Sequence, residues 1–81
     1  DDPFIIDSMG WLMYRMGRQK QALEYLRKAY AARPDPEIAA HLGEVLWVAG
    51  EHREAEKIWL DAAKKTPAND ALNSTIKRFK P

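Results

Sequence analysis

The chain has 81 residues, enough for one small domain, and its 13 lysine and arginine residues nearly balance 12 aspartate and glutamate residues, which leaves a net charge of +1. With no basic cluster and no apolar run near the roughly 20 residues that cross a bilayer, neither nucleic acid binding nor direct membrane insertion is expected. The absence of cysteine excludes disulfides, zinc–thiolate sites and cysteine nucleophiles.

The first two predicted helices span residues 3–16 and 19–32. Asp2 followed by Pro3 is typical of a helix N-cap and first turn, and Gly17 stands where a left-handed residue would end the first helix. One apolar stripe, which includes all three methionines, predicts the core side of this helix: Ile5, Ile6, Met9, Leu12, Met13 and Met16. The inner face of the second helix consists of Ala22, Leu23, Leu26, Ala29 and Tyr30.

The next two predicted helices, 36–49 and 52–65, repeat this pattern after 33 residues. The small and turn residues that recur at this spacing are Gly10 and Gly43, Gly17 and Gly50, Ala22 and Ala55, Ala29 and Ala62, and Pro34 and Pro67. A period of this length indicates stacked supersecondary units. A fifth helix, 69–79, follows with Asn69 or Asp70 as its cap, a narrow apolar face, and lysine and arginine at its end, where cations suit the helix dipole.

Each unit resembles a tetratricopeptide repeat, whose pattern is W-x2-L-G-x2-Y, then A-x3-F, then P. The first copy reads Ile6-x2-Met9-Gly10-x2-Met13, Ala22-x3-Leu26 and Pro34, and the second reads Ala39-x2-Leu42-Gly43-x2-Leu46, Ala55-x3-Trp59 and Pro67. The resemblance implies an all-α solenoid in one domain, 1–81, with two helix-turn-helix repeats, 3–34 and 36–67, and a capping helix, 69–79. It also implies a fragment of a longer protein, loosely similar to the C-terminal repeats of bacterial adaptor and scaffold proteins of this family.

The recurring small residues are interpreted as packing positions. Two helices approach closely only where side chains are small, so Gly10 is expected to face Ala22, and Gly43 to face Ala55. Trp59 replaces the usual core phenylalanine and is expected to be structural.

On a second face of the first helix, the residue types differ between the two repeats. This face holds Phe4, Asp7, Trp11, Tyr14 and Arg15 in the first copy and Glu37, Ala40, Glu44, Trp47 and Val48 in the second. In the family this face lines the concave groove that holds peptide ligands. The resemblance therefore implies that a peptide or protein partner contacts Phe4, Asp7, Trp11, Tyr14, Arg15, Glu44 and Trp47. Alternatively, the aromatic residues only pack against neighbouring helices, and Trp47 packs against the fifth helix or the second helix of its own repeat.

One variety of the family grips a peptide's terminal carboxylate with lysine and asparagine. The matching positions here include Asp7, Trp11 and His41, so this clamp is not expected. The acidic residues of the groove instead suggest a partly apolar ligand that carries a basic residue.

The sequence offers no catalytic motif, cofactor site or complete metal site. His41 and Glu44 lie on neighbouring helical turns, but a metal needs three or four converging ligands. The chain is therefore expected to be a non-catalytic interaction module.

Two alternatives to groove binding stay open: a structural spacer within a longer solenoid, or self-association. An N-terminal helix without a polar cap leaves Phe4, Ile5 and Leu12 partly uncovered, and it would allow a homodimer. The sequence indicates neither cytoplasm nor periplasm.

Overall fold

A computed structural model describes residues 2–80, so the predicted domain 1–81 extends one residue beyond the described part at each end. The five helices are α1 (Pro3–Arg15), α2 (Gln19–Ala32), α3 (Pro36–Val48), α4 (His52–Lys65) and α5 (Asp70–Phe79). The all-α prediction is confirmed, since residues 2–80 contain no strand. Helices α1 and α3 end one residue earlier than predicted, and α5 begins one residue later. None of the five described helices is sufficiently long and apolar to cross a membrane.

Local hydrogen bonds explain where the helices begin and end. The side chain of Asp2 accepts from the amide of Phe4 at 2.8 Å, and that of Asn69 accepts from the amide of Leu72 at 2.9 Å. Gly17 has a φ of 82°, a left-handed conformation that favours glycine, and the next amide, of Arg18, donates to the carbonyl of Met13 at 2.9 Å. This pattern is a Schellman motif, and it turns the chain into α2. The second repeat ends its first helix in the same way at Gly50, where φ is 93°.

The core lies around α3, which contacts each of the other four helices. The largest enclosed side chains come from α2, α3, α4 and α5, and they are Trp59, Leu26, Ile38, Leu42, Leu46, Leu72 and Val45. The recurring alanines are buried as well: Ala22, Ala29, Ala55 and Ala62. Pro34 and Pro67 lie in the exposed loops after α2 and α4. The position of Trp59 is consistent with the predicted structural role, since only 1% of its surface is exposed.

Part of the apolar stripe of α1 lies outside the core, and this corrects the prediction for Met9 and Met16, which are both exposed, whereas Met13 packs against the core. The equivalent positions of the two repeats differ sharply: Ile5 is 61% exposed and Leu12 57%, whereas Ile38 and Val45 are fully buried. The reason is that α3 is contacted by all four other helices, whereas α1 contacts only α2 and α3, which leaves one side of its stripe uncovered.

The two interior glycines do make room for a neighbouring helix, but their nearest partners differ from those predicted. A Cβ atom placed on Gly10 would lie 2.8 Å from Cγ of Leu26, and one placed on Gly43 would overlap the indole of Trp59. The nearest groups are thus the large residues of the A-x3-F pattern rather than Ala22 and Ala55. The helices cross one turn further along α2 and α4 than predicted, so each glycine accommodates a large side chain instead of a small one.

Candidate functional site

The first helix of each pair and α5 together border an open cavity of about 510 Å³, which is lined by Trp11, Tyr14, Arg15, Glu44 and Arg78. We call this the inter-helix cavity. Three of its residues come from the last turns of α1, one from the middle of α3 and one from the last turn of α5. Because α3 contacts both α1 and α5, residues that are far apart in the sequence meet here.

Glu44 is buried at the base of the cavity, with 7% of its surface exposed. One carboxylate oxygen accepts a hydrogen bond from the hydroxyl of Tyr14 at 3.1 Å, and the other accepts from Nη2 of Arg78 at 2.6 Å. A buried carboxylate requires such partners, since an unpaired charge in the interior is strongly destabilising. This arrangement connects α1, α3 and α5 through one side chain.

The hydroxyl of Tyr14 is held in its protonated form. Burial, and then the charge of Glu44 and the hydrogen bond to it, raise the pKa of Tyr14 above its usual value, while the charges of Arg78 and Arg15 act in the opposite direction. The hydroxyl therefore donates to Glu44 at neutral pH. Both guanidinium groups also lie close enough to Tyr14 to influence its ionisation.

A second buried carboxylate lies beside the cavity. Asp7 is 7% exposed, and both of its oxygens lie within hydrogen-bond distance of Nδ1 of His41, at 2.9 and 3.0 Å. Since a carboxylate only accepts, Nδ1 of His41 carries the proton in this pair. The imidazole also stacks on Trp11, with ring centroids 4.1 Å apart and planes 22° apart. Asp7 thus orients His41, which supports one face of the Trp11 ring.

Trp47 lies outside the inter-helix cavity. It stacks on His52 with ring centroids 3.9 Å apart, and it also contacts the rings of Trp59 in α4 and Phe79 in α5. These contacts are the ones that the packing alternative anticipates for Trp47. Phe4 is also distant from the cavity, and its exposed ring lies under the guanidinium of Arg33 at 5.6 Å.

The structure therefore brings together four of the seven predicted binding residues, Trp11, Tyr14, Arg15 and Glu44, and places Asp7 next to them through His41. Arg78 is not among the predicted binding residues, because its place at the end of the fifth helix suggests only a favourable interaction with the helix dipole. One regularity of the sequence could have identified it: Asp7 and His41 are separated by 34 residues, and Glu44 and Arg78 have the same separation. This common separation reflects the stacking of successive first helices.

No cluster of three or more histidine, aspartate or glutamate residues arranged for a metal ion occurs within residues 2–80. His41 and Glu44, which share neighbouring turns, instead bond to different partners.

Comparison with known proteins supports a repeat fold. The chain is 53% identical over 79 residues, 98% of its length, to the TPR repeat-containing protein PA4667 of Pseudomonas aeruginosa, where TPR stands for tetratricopeptide repeat. It spans only 13% of the length of that relative. No family model matches the chain. The 33-residue period and the all-helical structure of residues 2–80 are, like this relative, consistent with a tetratricopeptide-type helical repeat fold.

Proposed function

We propose that these 81 residues form one non-catalytic protein-interaction unit, with repeats 3–34 and 36–67 and a capping helix 69–79, and that it binds a peptide or protein segment at the inter-helix cavity. Tetratricopeptide repeats generally serve as non-catalytic adaptors, and the TPR repeat-containing relative supports this type of function. The chain matches only a small part of that relative, so no activity or partner of the whole relative is transferred to it.

The observation that carries the proposal is the open cavity beside Trp11 and Tyr14, with Arg15 at its edge. Tryptophan, tyrosine and arginine are the residue types most often found as binding hot spots, because they combine a large contact area with a polar group. The stacking of Trp11 on His41 fixes the ring before a partner arrives, which reduces the entropy lost on binding. Phe4 and Trp47 lie outside the cavity and are not part of the proposed site.

A random peptide library displayed to the immobilised chain tests this proposal. Enriched peptides are expected to bind the unmodified chain, to lose affinity for Trp11→Ala, and to keep it for Leu60→Ala, a control at an exposed position of α4 outside the cavity. Circular dichroism of each variant verifies that the fold is intact. Equal binding to the unmodified chain and to a folded Trp11→Ala variant would contradict the proposed site.

A second candidate function, stacking or self-association, is favoured by the outward row of apolar residues on α1: Ile5, Met9, Leu12 and Met16, all exposed. Burying such a row against a second copy or a further repeat would remove a substantial apolar area from water. Sedimentation velocity over a concentration series tests it. A homodimer would be supported if the apparent mass of the unmodified chain rises with concentration while the Leu12→Glu variant stays monomeric. A monomer at every concentration would exclude one.

A further inference from the structure

The charges of the inter-helix cavity determine which partner chemistry it accepts. Two guanidinium groups, of Arg15 and Arg78, and one carboxylate, of Glu44, line it, so one positive charge is in excess. Glu44 is buried and bonds through both oxygens, and the neighbouring carboxylate of Asp7 is buried and bonds to His41. Neither carboxylate is available to a basic group on a partner, and Glu37, the third acidic residue of the predicted groove face, does not line the cavity.

The two guanidinium groups, by contrast, have donors to offer. Arg15 is exposed and forms no ion pair with any residue from 2 to 80. Arg78 uses Nη2 for Glu44 and lies over the ring of Phe79, with Cζ 5.1 Å from the ring centroid, but its side chain is 59% exposed and its other N–H groups have no hydrogen-bond partner within residues 2–80. A guanidinium with several open donors binds carboxylates with well-defined geometry. The rings of Trp11 and Tyr14, whose centroids are 5.0 Å apart, lie next to these donors and offer apolar area.

We infer that, if the proposed function holds, the inter-helix cavity recognises an acidic side chain, aspartate or glutamate, next to an apolar residue in the partner segment. The carboxylate would lie between Arg15 and Arg78, and the apolar residue would pack on Trp11. The cavity is open to solvent, so a partner chain can extend beyond it in both directions. A side-chain carboxylate can therefore supply the negative charge, and a chain terminus is not needed. Charge complementarity of this kind selects among partners and speeds their association.

Three synthetic pools of short peptides, acetylated and amidated at their ends, test this inference. They carry glutamate, glutamine or lysine at a central position between apolar residues and random residues elsewhere. The glutamate pool is expected to bind most tightly and the lysine pool most weakly, with the preference shrinking as salt is added. A fourth pool with glutamine at the centre and a free terminal carboxylate distinguishes a chain terminus from an acidic side chain. Preferential binding of this fourth pool would overturn the inference.

Variants connect the preference to the two arginines. Arg15→Gln is expected to weaken glutamate-pool binding about five- to tenfold and glutamine-pool binding by clearly less. Arg18→Gln, which makes the same charge change at an exposed residue outside the cavity, is the matched control and is expected to have no effect. Because Arg78→Gln alone would leave Glu44 buried without its cation, Arg78 is tested in the double variant Glu44→Gln/Arg78→Gln.

The results separate this inference from the proposed function. If no pool binds the chain, both are wrong. If pools bind, lose affinity for Trp11→Ala, and yet show no preference for glutamate over glutamine, groove binding stands and the inference is overturned. An equal loss in Arg15→Gln and Arg18→Gln would also overturn it, because the effect would then come from total charge rather than from the cavity.

Discussion

Replacement of Gly43 by alanine is the most direct test of how the second helix pair is packed. The added Cβ would overlap the Trp59 indole and stand 2.6 Å from its Cδ1 atom. The indole is rigid and fully enclosed, so it cannot move away without displacing α4 or the core around it. The substitution should therefore destabilise the protein, even though alanine is the better helix former.

The expected magnitude follows from two opposing effects. Overpacking of a well-filled core costs about 1–3 kcal/mol, and a clash with a rigid ring is expected at the upper end, about 3 kcal/mol. Replacing glycine by alanine inside a helix returns about 1 kcal/mol. The net loss in the free energy of unfolding is thus about 2 kcal/mol, which for a chain of this size lowers the melting temperature by roughly 8–16 °C. Gly43→Val, which adds two more carbons, should lose more.

Gly10→Ala is the matched control, because Gly10 occupies the equivalent position in the first repeat. The added Cβ would lie 2.8 Å from Cγ of Leu26, a milder overlap than the one at Gly43, and α1 is covered on fewer sides. The clash and the gain in helix propensity should nearly cancel, leaving stability within about 1 kcal/mol of the unmodified chain. Urea denaturation followed by circular dichroism measures both variants.

A double variant identifies the cause. Trp59→Leu reproduces at Gly43 the leucine that Gly10 meets in the first repeat. On its own it should destabilise through lost burial. Combined with Gly43→Ala, it should reduce the clash from about 3 kcal/mol to the roughly 1 kcal/mol expected at Gly10, so the two effects should fall short of additivity by about 2 kcal/mol. Strict additivity, or a Gly43→Ala variant as stable as the unmodified chain, would refute the assigned contact between Gly43 and Trp59.

Three further predictions concern charge and exposure. Arg78→Ala should lower the free energy of unfolding by about 1–3 kcal/mol because it leaves the buried Glu44 without its cation, whereas Glu44→Gln should cost less; the reverse order in urea denaturation would contradict the pairing. The hydrogen bond from Arg27 holds the pKa of Glu54 below its ordinary 4.5, so this pair contributes to stability at neutral pH and the contribution is lost as pH falls through the lowered pKa. The pair is partly exposed, so Arg27→Gln should reduce the difference between the free energies of unfolding at neutral and acidic pH, measured by urea denaturation, by less than about 1 kcal/mol. An increased difference would contradict this sign. Leu12→Lys should leave stability within about 0.5 kcal/mol in thermal melts, since Leu12 is mostly exposed, and a large loss would show that its side chain is covered.

Much of the fold could be predicted because its signals are local. An aspartate followed by proline begins a helix, a left-handed glycine ends one, and their recurrence after 33 residues fixes the number and order of the helices. The contacts of Gly10 could not be predicted in the same way. Ala22 and Leu26 lie one turn apart on the same face of α2, so the residue opposite the glycine depends on how far one helix slides along the other, which is a property of the assembled core.

The candidate site shows the same division. Trp11, Tyr14 and Arg15 could be predicted as binding residues, because their residue types and their positions on the first helix can be read from the sequence. Which carboxylates stay open to a partner could not be predicted, because Glu44 is satisfied by a residue of α5 that is distant in sequence. The exposure of the α1 stripe also depends on neighbouring helices, because the same apolar pattern is buried in the second repeat.

The indole N–H of Trp59 is enclosed, and within residues 2–80 it has no hydrogen-bond acceptor. Its hydrogen is therefore shielded from solvent by enclosure rather than by bonding. Deuterium can replace it only when α3 and α4 separate, so this single resonance in a nuclear magnetic resonance spectrum would time the opening of the second helix pair independently of the backbone amides.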